Sequence, residues 1–239
     1  MNKFTGLVRR CVDDYGMISR EETVAVGVSG GKDSLALLCA LANLRRFHPA
    51  RFKLRAVSLD MGFGGADYSR IEKLCNELDV PYTVEKRDFA RVIFQTRKEK
   101  NPCALCSKMR RGALHDTIAA LGVRKIALAH HMDDAIETFL LSLIYEGRVS
   151  CFRPVTYMSR AGVTQIRPLL YAGEAAIADV ARRYKLPVME NPCPMNGASK
   201  REDMKTLLKS LGEAYPGVAA RIFGAMRRLP LEGWSVTGQ

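Results

Sequence analysis

The sequence predicts an α/β protein built on a doubly wound parallel sheet with a helical C-terminal extension. Three observations lead there. Short apolar, β-branched runs alternate with helical stretches of roughly 10–15 residues, which is the pattern of βαβ units. The first run, residues 23–28 (TVAVGV), passes straight into a glycine-rich turn that opens a helix. From Gly173 onward the strand-like runs stop and the sequence is mainly helical.

Taken in order, residues 1–20 read as a leading helix packed on the core. Residues 23–28 are β-branched or apolar throughout, as suits a strand covered on both faces. Ser34–Arg46 (SLALLCALANLRR) follows with helical periodicity, then a strand near Lys53–Ser58, a helix near Tyr68–Leu78 and a strand near Tyr82–Lys86. A helix at Lys108–Leu121, a strand at Lys125–Ala129 and a helix at Asp134–Tyr145 complete the alternation. Glu174–Tyr184, Arg201–Leu211 and Val218–Arg228 are the C-terminal helices, the first cut from the second by Pro187, Pro192 and Pro194. The expected organisation is an N-terminal helix (1–20), an α/β domain (21–172) and a helical extension (173–239), together forming one compact unit.

A chain of 239 residues suffices for one large domain with a modest extension. No apolar run approaches the roughly 20 residues that span a bilayer. The first 14 residues mix Lys3, Arg9 and Arg10 with isolated apolar positions and lack a signal-peptide core, so a cytoplasmic protein with no membrane contact is expected. Lys and Arg number 37 against 25 Asp and Glu, a net charge of +12. This excess suits either a polyanionic partner or a solvated basic surface. Its basic pairs recur along the whole chain, from Arg9-Arg10 to Arg227-Arg228, which fits a folded surface better than a tail. Seven cysteines, an odd count without an export signal, argue against a disulfide framework. Cys39 and Cys75 lie in apolar helical patterns and read as core, while Cys11 and Cys151 carry no signal.

Ser29-Gly30-Gly31-Lys32-Asp33-Ser34 has the makings of a phosphate cradle. Gly30 and Gly31 permit dihedrals and approaches that a Cβ would forbid. The N–H groups opening the next helix favour an anion, Ser29 and Ser34 add hydroxyl donors, and Lys32 adds a positive charge. The spacing is not that of a Walker A loop, since three residues rather than four separate Gly27 from Gly31 and Asp33 replaces the Ser/Thr. It is not G-x-G-x-x-G either, which disfavours γ-phosphate hydrolysis and dinucleotide binding alike.

The SGGKDS run resembles the PP-loop of the N-type ATP pyrophosphatase superfamily, whose fold is adenine nucleotide alpha hydrolase-like and Rossmann-like. The resemblance implies that the loop holds the pyrophosphate released when ATP adenylates a substrate oxygen. Asp60, after the second strand, falls where the superfamily places an acidic residue near the adenosine or the metal. His130-His131-Met132-Asp133-Asp134 resembles its G-H-x-x-D-D element, with Ala129 in place of the usual Gly. Ligands of open parallel sheets bind beyond the carboxyl ends of the strands, where all three segments are expected to converge. Asp133 and Asp134 suit Mg²⁺ or polarisation of an attacking group, or else simply cap the helix that follows. Lys32 joins them as a candidate catalytic residue.

Cys103-Ala104-Leu105-Cys106 alone fits redox, zinc or iron–sulfur chemistry. Pro102 and the flanks speak against a thioredoxin motif, and a zinc ribbon would need a second C-x-x-C. The remaining cysteine in a motif-like setting is Cys193, in Asn191-Pro192-Cys193-Pro194. The longer run from Asn101 to Gly112 (NPCALCSKMRRG) closely resembles the tRNA 2-thiocytidine synthetase family within this superfamily, as do Arg167-Pro168-Leu169 and the region Lys209–Arg227. That resemblance implies a 4Fe-4S cluster on Cys103, Cys106 and Cys193, with one iron left to carry sulfur. A zinc site on the same cysteines, completed by water or His115, is the alternative. Arg110 and Arg111 are candidates for substrate phosphate contact or for a solvated helix face.

The family resemblance implies adenylation of O2 of a tRNA cytidine at position 32 of the anticodon loop and its replacement by sulfur, with ATP and Mg²⁺ as cofactors. The expected partners are tRNA and a sulfur donor such as a cysteine desulfurase system or sulfide, with a homodimer left open. Uridine 2-thiolation, lysidine synthesis and a non-catalytic nucleotide- or iron-sensing RNA-binding role are the competing readings.

Overall fold

The computed structural model describes residues 1–93, 102–190, 193, 200–229 and 231–236. The chain begins with α1 (Asn2–Asp14), β1 (Thr23–Gly27), α2 (Lys32–Leu44), β2 (Lys53–Asp60), α3 (Ser69–Glu77), β3 (Tyr82–Lys86) and a single turn, α4 (Phe89–Arg91). It continues with α5 (Pro102–Ala120), β4 (Lys125–Ala127), α6 (Met132–Glu146), β5 (Val155–Met158) and β6 (Val163–Ile166), and ends with α7 (Glu174–Arg183), α8 (Lys200–Ala214) and α9 (Val218–Arg228). The six strands form one sheet in the order β3-β2-β1-β4-β6-β5. All neighbours are parallel except β5, which runs antiparallel to β6 at the edge.

Strand alternation sorts the core into two layers. Val24 and Val26 of β1 face the larger cluster, which draws on buried residues from Phe4 to Trp234. Ala25 points the other way, into a smaller cluster with Val57, Ile118, Val123, Ile126 and Val163. Helix α2 is apolar nearly all round, with ten buried residues, because α1 and α7 both cover it. Helices α8 and α9 pack on α6, so the C-terminal helices close over the sheet rather than standing apart from it.

Two expectations are corrected. Helix α5 starts at Pro102, not near Lys108, which places both cysteines of C-x-x-C on its first two turns. Proline is well suited to the start of a helix, where its missing N–H costs nothing. The β5–β6 hairpin was not expected, because VTYM and VTQI are short and half polar. Among the described residues, no helix is long and apolar enough to cross a membrane.

The strand order reverses between β1 and β4: the chain leaves β1 toward β2 and β3 on one side, and β4 toward β6 on the other. The crevice beyond the carboxyl ends at such a switch point is the ligand position of open α/β sheets. Residues 28–34 leave β1 there, Asp60 ends β2 beside them, and residues 128–134 leave β4.

Candidate functional site

The glycine loop is tied by its own serines. Ser34, buried at the start of α2, accepts the Ser29 N–H at 3.1 Å and donates to the Gly31 carbonyl at 2.9 Å, while the two hydroxyls lie 3.2 Å apart. Gly30 has φ +84°, a left-handed conformation that a side chain would strain. Gly31 is the extended N-cap of α2 and makes no side-chain cap, so the first N–H groups of that helix are left for an anion. Across the loop, Met189 donates its N–H to the Gly30 carbonyl at 2.9 Å. Its Sδ lies 3.0 Å from where a Cβ on residue 30 would be.

On the facing side, the cap of α6 is His131 rather than either aspartate. Its Nδ1 accepts from the Asp134 N–H at 3.4 Å, and the Asp134 carboxylate accepts from the His131 N–H at 2.9 Å, a reciprocal capping box. Asp133 turns elsewhere and accepts the N–H of Glu174, the first residue of α7, at 2.7 Å. Burial works against a charged His131. The hydrogen bond with Asp133 and the charges of Asp134 and Asp33 outweigh it and hold the imidazole above its ordinary pKa. His130 behaves oppositely: burial, then Arg167, Arg201 and Arg110, drive it down to about 3. Its ring lies 5.1 Å from that of Phe152, and its buried Nδ1 has no hydrogen-bond partner among the described residues.

Four charged residues that the sequence reading did not single out complete this wall. Arg201 on α8 reaches Asp134 Oδ1 at 3.2 Å and Thr138 at 3.1 Å, with Glu137 3.9 Å away. Glu137 is almost fully enclosed. Burial, then Asp134, push its carboxyl up to about 7, against the pull of Arg201. Glu174 Oε1 is shared by Lys32 and Lys205, each at 3.1 Å. Lys32 is also 3.1 Å from Asp33. Glu174, Arg201 and Lys205 have no local spacing signal, because α7 and α8 reach the site only through tertiary packing, whereas Glu137 lies three residues after Asp134 on α6. Asp60 ends β2 with Oδ1 accepting from the Gly62 N–H at 3.0 Å, near Tyr68.

Cys103, Cys106 and Arg110 stand at i, i+3 and i+7 and so share one face of α5. Cys103 is exposed, and Cys106 and Cys193 are half-buried. Burial raises the Cys106 thiol; Arg110 opposes this, and Cys193 and Cys103 add to it, so all three are its electrostatic neighbours. Asn191, Pro192 and Pro194, which flank the third cysteine, and Asn101 lie outside the described residues. Among the described residues, no three Cys, His, Asp or Glu side chains stand close enough to hold a metal ion. As a donor set, three soft thiols with a neighbouring guanidinium suit an iron–sulfur cluster or zinc. His115 is not the fourth ligand. It is buried against Gln165 at 2.7 Å, roughly 14 Å along the helix from Cys106 at 1.5 Å per residue.

Arg110 acts on both Cys106 and His130, whereas Arg111, one position round the helix, acts on His115. The structure therefore brings Arg110 to the cysteines and turns Arg111 away. Arg167 is buried and binds the Arg153 carbonyl at 2.6 Å and Thr156 at 3.1 Å, fastening the hairpin beside His130.

A serine-tied glycine loop at the switch point of a parallel sheet, with helix N–H groups and a lysine aimed into the crevice, defines a nucleotide-handling α/β domain. The chain belongs to the PP-loop domain family, whose model matches residues 3–209. It is 36% identical over 222 residues to a tRNA-cytidine(32) 2-sulfurtransferase of Pelobacter propionicus, covering 92% of this chain and 82% of the relative. A protein of the same name from Geobacter sulfurreducens is 35% identical over 227 residues, covering 94% and 88%. Among solved structures, the U34-tRNA thiolase NcsA from Methanococcus maripaludis, with its 4Fe-4S cluster, has the same fold. Its TM-score is 0.76 at 23% identity, covering 95% of this chain and 77% of that one.

Proposed function

We propose that the chain is an ATP-dependent tRNA sulfurtransferase that converts cytidine 32 of the anticodon loop to 2-thiocytidine. The observation that carries this reading is the meeting of two chemistries. Met189, four residues before Cys193, is bonded to Gly30 of the phosphate loop, and Arg110 is electrostatically linked to both Cys106 and His130.

In this reading the triphosphate of ATP lies on Ser29, Gly30, Gly31, Lys32, Asp33 and Ser34, where the open N–H groups of α2 and the Lys32 ammonium take the negative charge of the leaving pyrophosphate. Asp60, Asp133 and Asp134 supply the carboxylates that would hold Mg²⁺ beside it. The cytidine O2 forms a bond to the α-phosphorus as the bond to pyrophosphate breaks. A sulfur nucleophile then bonds to C2, and AMP departs with the former O2. His130 stays neutral across the physiological range and offers its unpartnered nitrogen as a hydrogen-bond contact for the base. A 4Fe-4S cluster bound by Cys103, Cys106 and Cys193 would supply a soft iron site for sulfur delivery. Arg110 lies where it would offset the charge of those thiolates or meet a substrate phosphate. The +12 charge supports docking of the tRNA backbone. The sulfur comes from a donor such as a cysteine desulfurase system or sulfide.

Nucleoside mass spectrometry of tRNA from cells lacking the protein tests the product. The expected result is loss of 2-thiocytidine; unchanged 2-thiocytidine overturns the reading, and loss of a thiouridine instead redirects it to another base. Iron, sulfide and zinc analysis of anaerobically purified protein tests the cysteine site, and zinc without iron would replace the cluster.

A further inference from the structure

Beside the glycine loop, two ammonium groups from different helices meet at Glu174. Lys32 comes from α2 and Lys205 from α8, yet both ammonium groups approach the same carboxylate oxygen at 3.1 Å. Two nitrogens each 3.1 Å from one atom are no more than about 6 Å apart, and like charges at that range need an anion between them. In the free chain that anion is Glu174. It is not a buried structural pair: the side chains of Lys32, Glu174 and Lys205 are 33%, 31% and 49% exposed, open to the crevice that the glycine loop borders. Glu174 is placed by its own backbone, whose N–H is held by Asp133 at 2.7 Å. Arg201, one helical turn before Lys205 on α8, contacts Asp134, so that face of α8 already lies against the site.

We propose that Glu174 stands in for a phosphate group of the nucleotide, and that Lys205 is a second cationic ligand for the departing pyrophosphate. This rests on the reading of the loop as an ATP site. When the triphosphate enters, Lys32 exchanges the Glu174 oxygen for a phosphate oxygen, and Lys205, poised on that same oxygen, does likewise. Displaced Glu174 keeps its place at the start of α7 through the Asp133 bond. The exchange swaps one anion for another between the same two cations, and the released Glu174 carboxylate, partly exposed, is left to water. It also gives α8, which begins seven residues after Cys193, a direct contact with the leaving group. The raised pKa of both lysines and the lowered one of Glu174 agree with strong mutual pairing.

The test is binding of inorganic pyrophosphate and of α,β-methylene-ATP, by calorimetry, to the whole chain and to Lys205→Met, Lys205→Arg and Glu174→Gln. Loss of one charge-assisted contact should weaken pyrophosphate binding roughly tenfold in Lys205→Met. Lys205→Arg should restore most of it, and Glu174→Gln, lacking the competing anion, should bind pyrophosphate more tightly than the wild type. A merely structural role for Lys205 would lower the melting temperature without this opposite pair of affinity changes. Unchanged pyrophosphate affinity in Lys205→Met, with the wild type binding normally, overturns the inference alone. Failure of the wild type to bind either probe overturns the ATP-site reading and the inference with it.

Discussion

Met189 and Gly30 share one small volume: the methionine N–H bonds the glycine carbonyl at 2.9 Å, and its side chain occupies the space a Cβ at position 30 would need. Gly30→Ala therefore meets two obstacles, a φ of +84° and a contact 3.0 Å from Sδ. The left-handed backbone alone costs about 1–2 kcal/mol. A lower melting temperature and a loss of ATP binding are expected. Gly30→Ala/Met189→Ala should recover the part due to Sδ and Cγ but neither the dihedral part nor the contact with Met189 Cβ, 3.1 Å away, and a double-mutant cycle in thermal denaturation measures the difference. Strict additivity would mean that the two residues are not in contact.

Arg201→Ala should leave Asp134 and Glu137 without their main counter-charge in a half-closed wall. Losing the partner of such groups costs about 1–3 kcal/mol. Denaturant titration of Arg201→Ala should show a lower midpoint with an unchanged slope, partly restored by adding Glu137→Gln.

Glu137 also predicts a pH signature. Its carboxyl is raised from 4.5 to about 7, so the native state holds this proton more tightly than the unfolded chain does. The stabilisation is fully present below pH 4.5 and is lost as pH rises through about 7. His131, also raised, loses its contribution in the same direction as pH climbs above 6.5. Glu137→Gln removes the first effect and keeps the second. Its stability should match wild type near pH 4.5 and exceed it above pH 7 by on the order of 2–3 kcal/mol. Parallel stability–pH curves, measured by urea unfolding without nucleotide, would contradict this.

Replacing Cys103, Cys106 or Cys193 by serine should remove bound metal and thiolated product while sparing ATP–pyrophosphate exchange in the presence of substrate tRNA. Cys39→Ser should instead lower stability without touching metal content, because that thiol is buried in the core and pushed up to about 12. Metal analysis beside exchange assays separates the two kinds of cysteine.

How much of this was legible in the sequence depended on whether the signal was local. The TVAVGV strand and the SGGKDS turn announce themselves within 12 residues, because a covered parallel strand is β-branched or apolar throughout and a phosphate loop needs glycine where φ is positive. The start of α5 is poorly marked in the sequence because cysteine is a weak helix former. Arg110 and Arg111 looked equivalent, yet the helical phase was available: Arg110 lies four residues from Cys106, and Arg111 four from His115. Glu174, Arg201 and Lys205 could not be found in this way, since what makes them a site is the approach of α7 and α8 to α2 and α6. The His-His-Met-Asp-Asp turn predicts a helix cap, with aspartate the expected residue type. Histidine is a rarer cap, and only the reciprocal bond from Asp134 reveals it.

Trp234 links the C-terminal region to the wall behind His130. Its indole N–H bonds the Phe152 carbonyl at 3.0 Å, its ring packs edge-on against Phe223, and Phe152 in turn backs His130. Those 82 residues between Phe152 and Trp234 take a ribosome about 4–16 s at ~5–20 residues per second. Throughout that interval the glycine loop and its strand have already emerged while the wall behind His130 still lacks its support. Removing Trp234 would therefore take the support from behind His130 while leaving the bonds between Ser29, Gly31 and Ser34 in place.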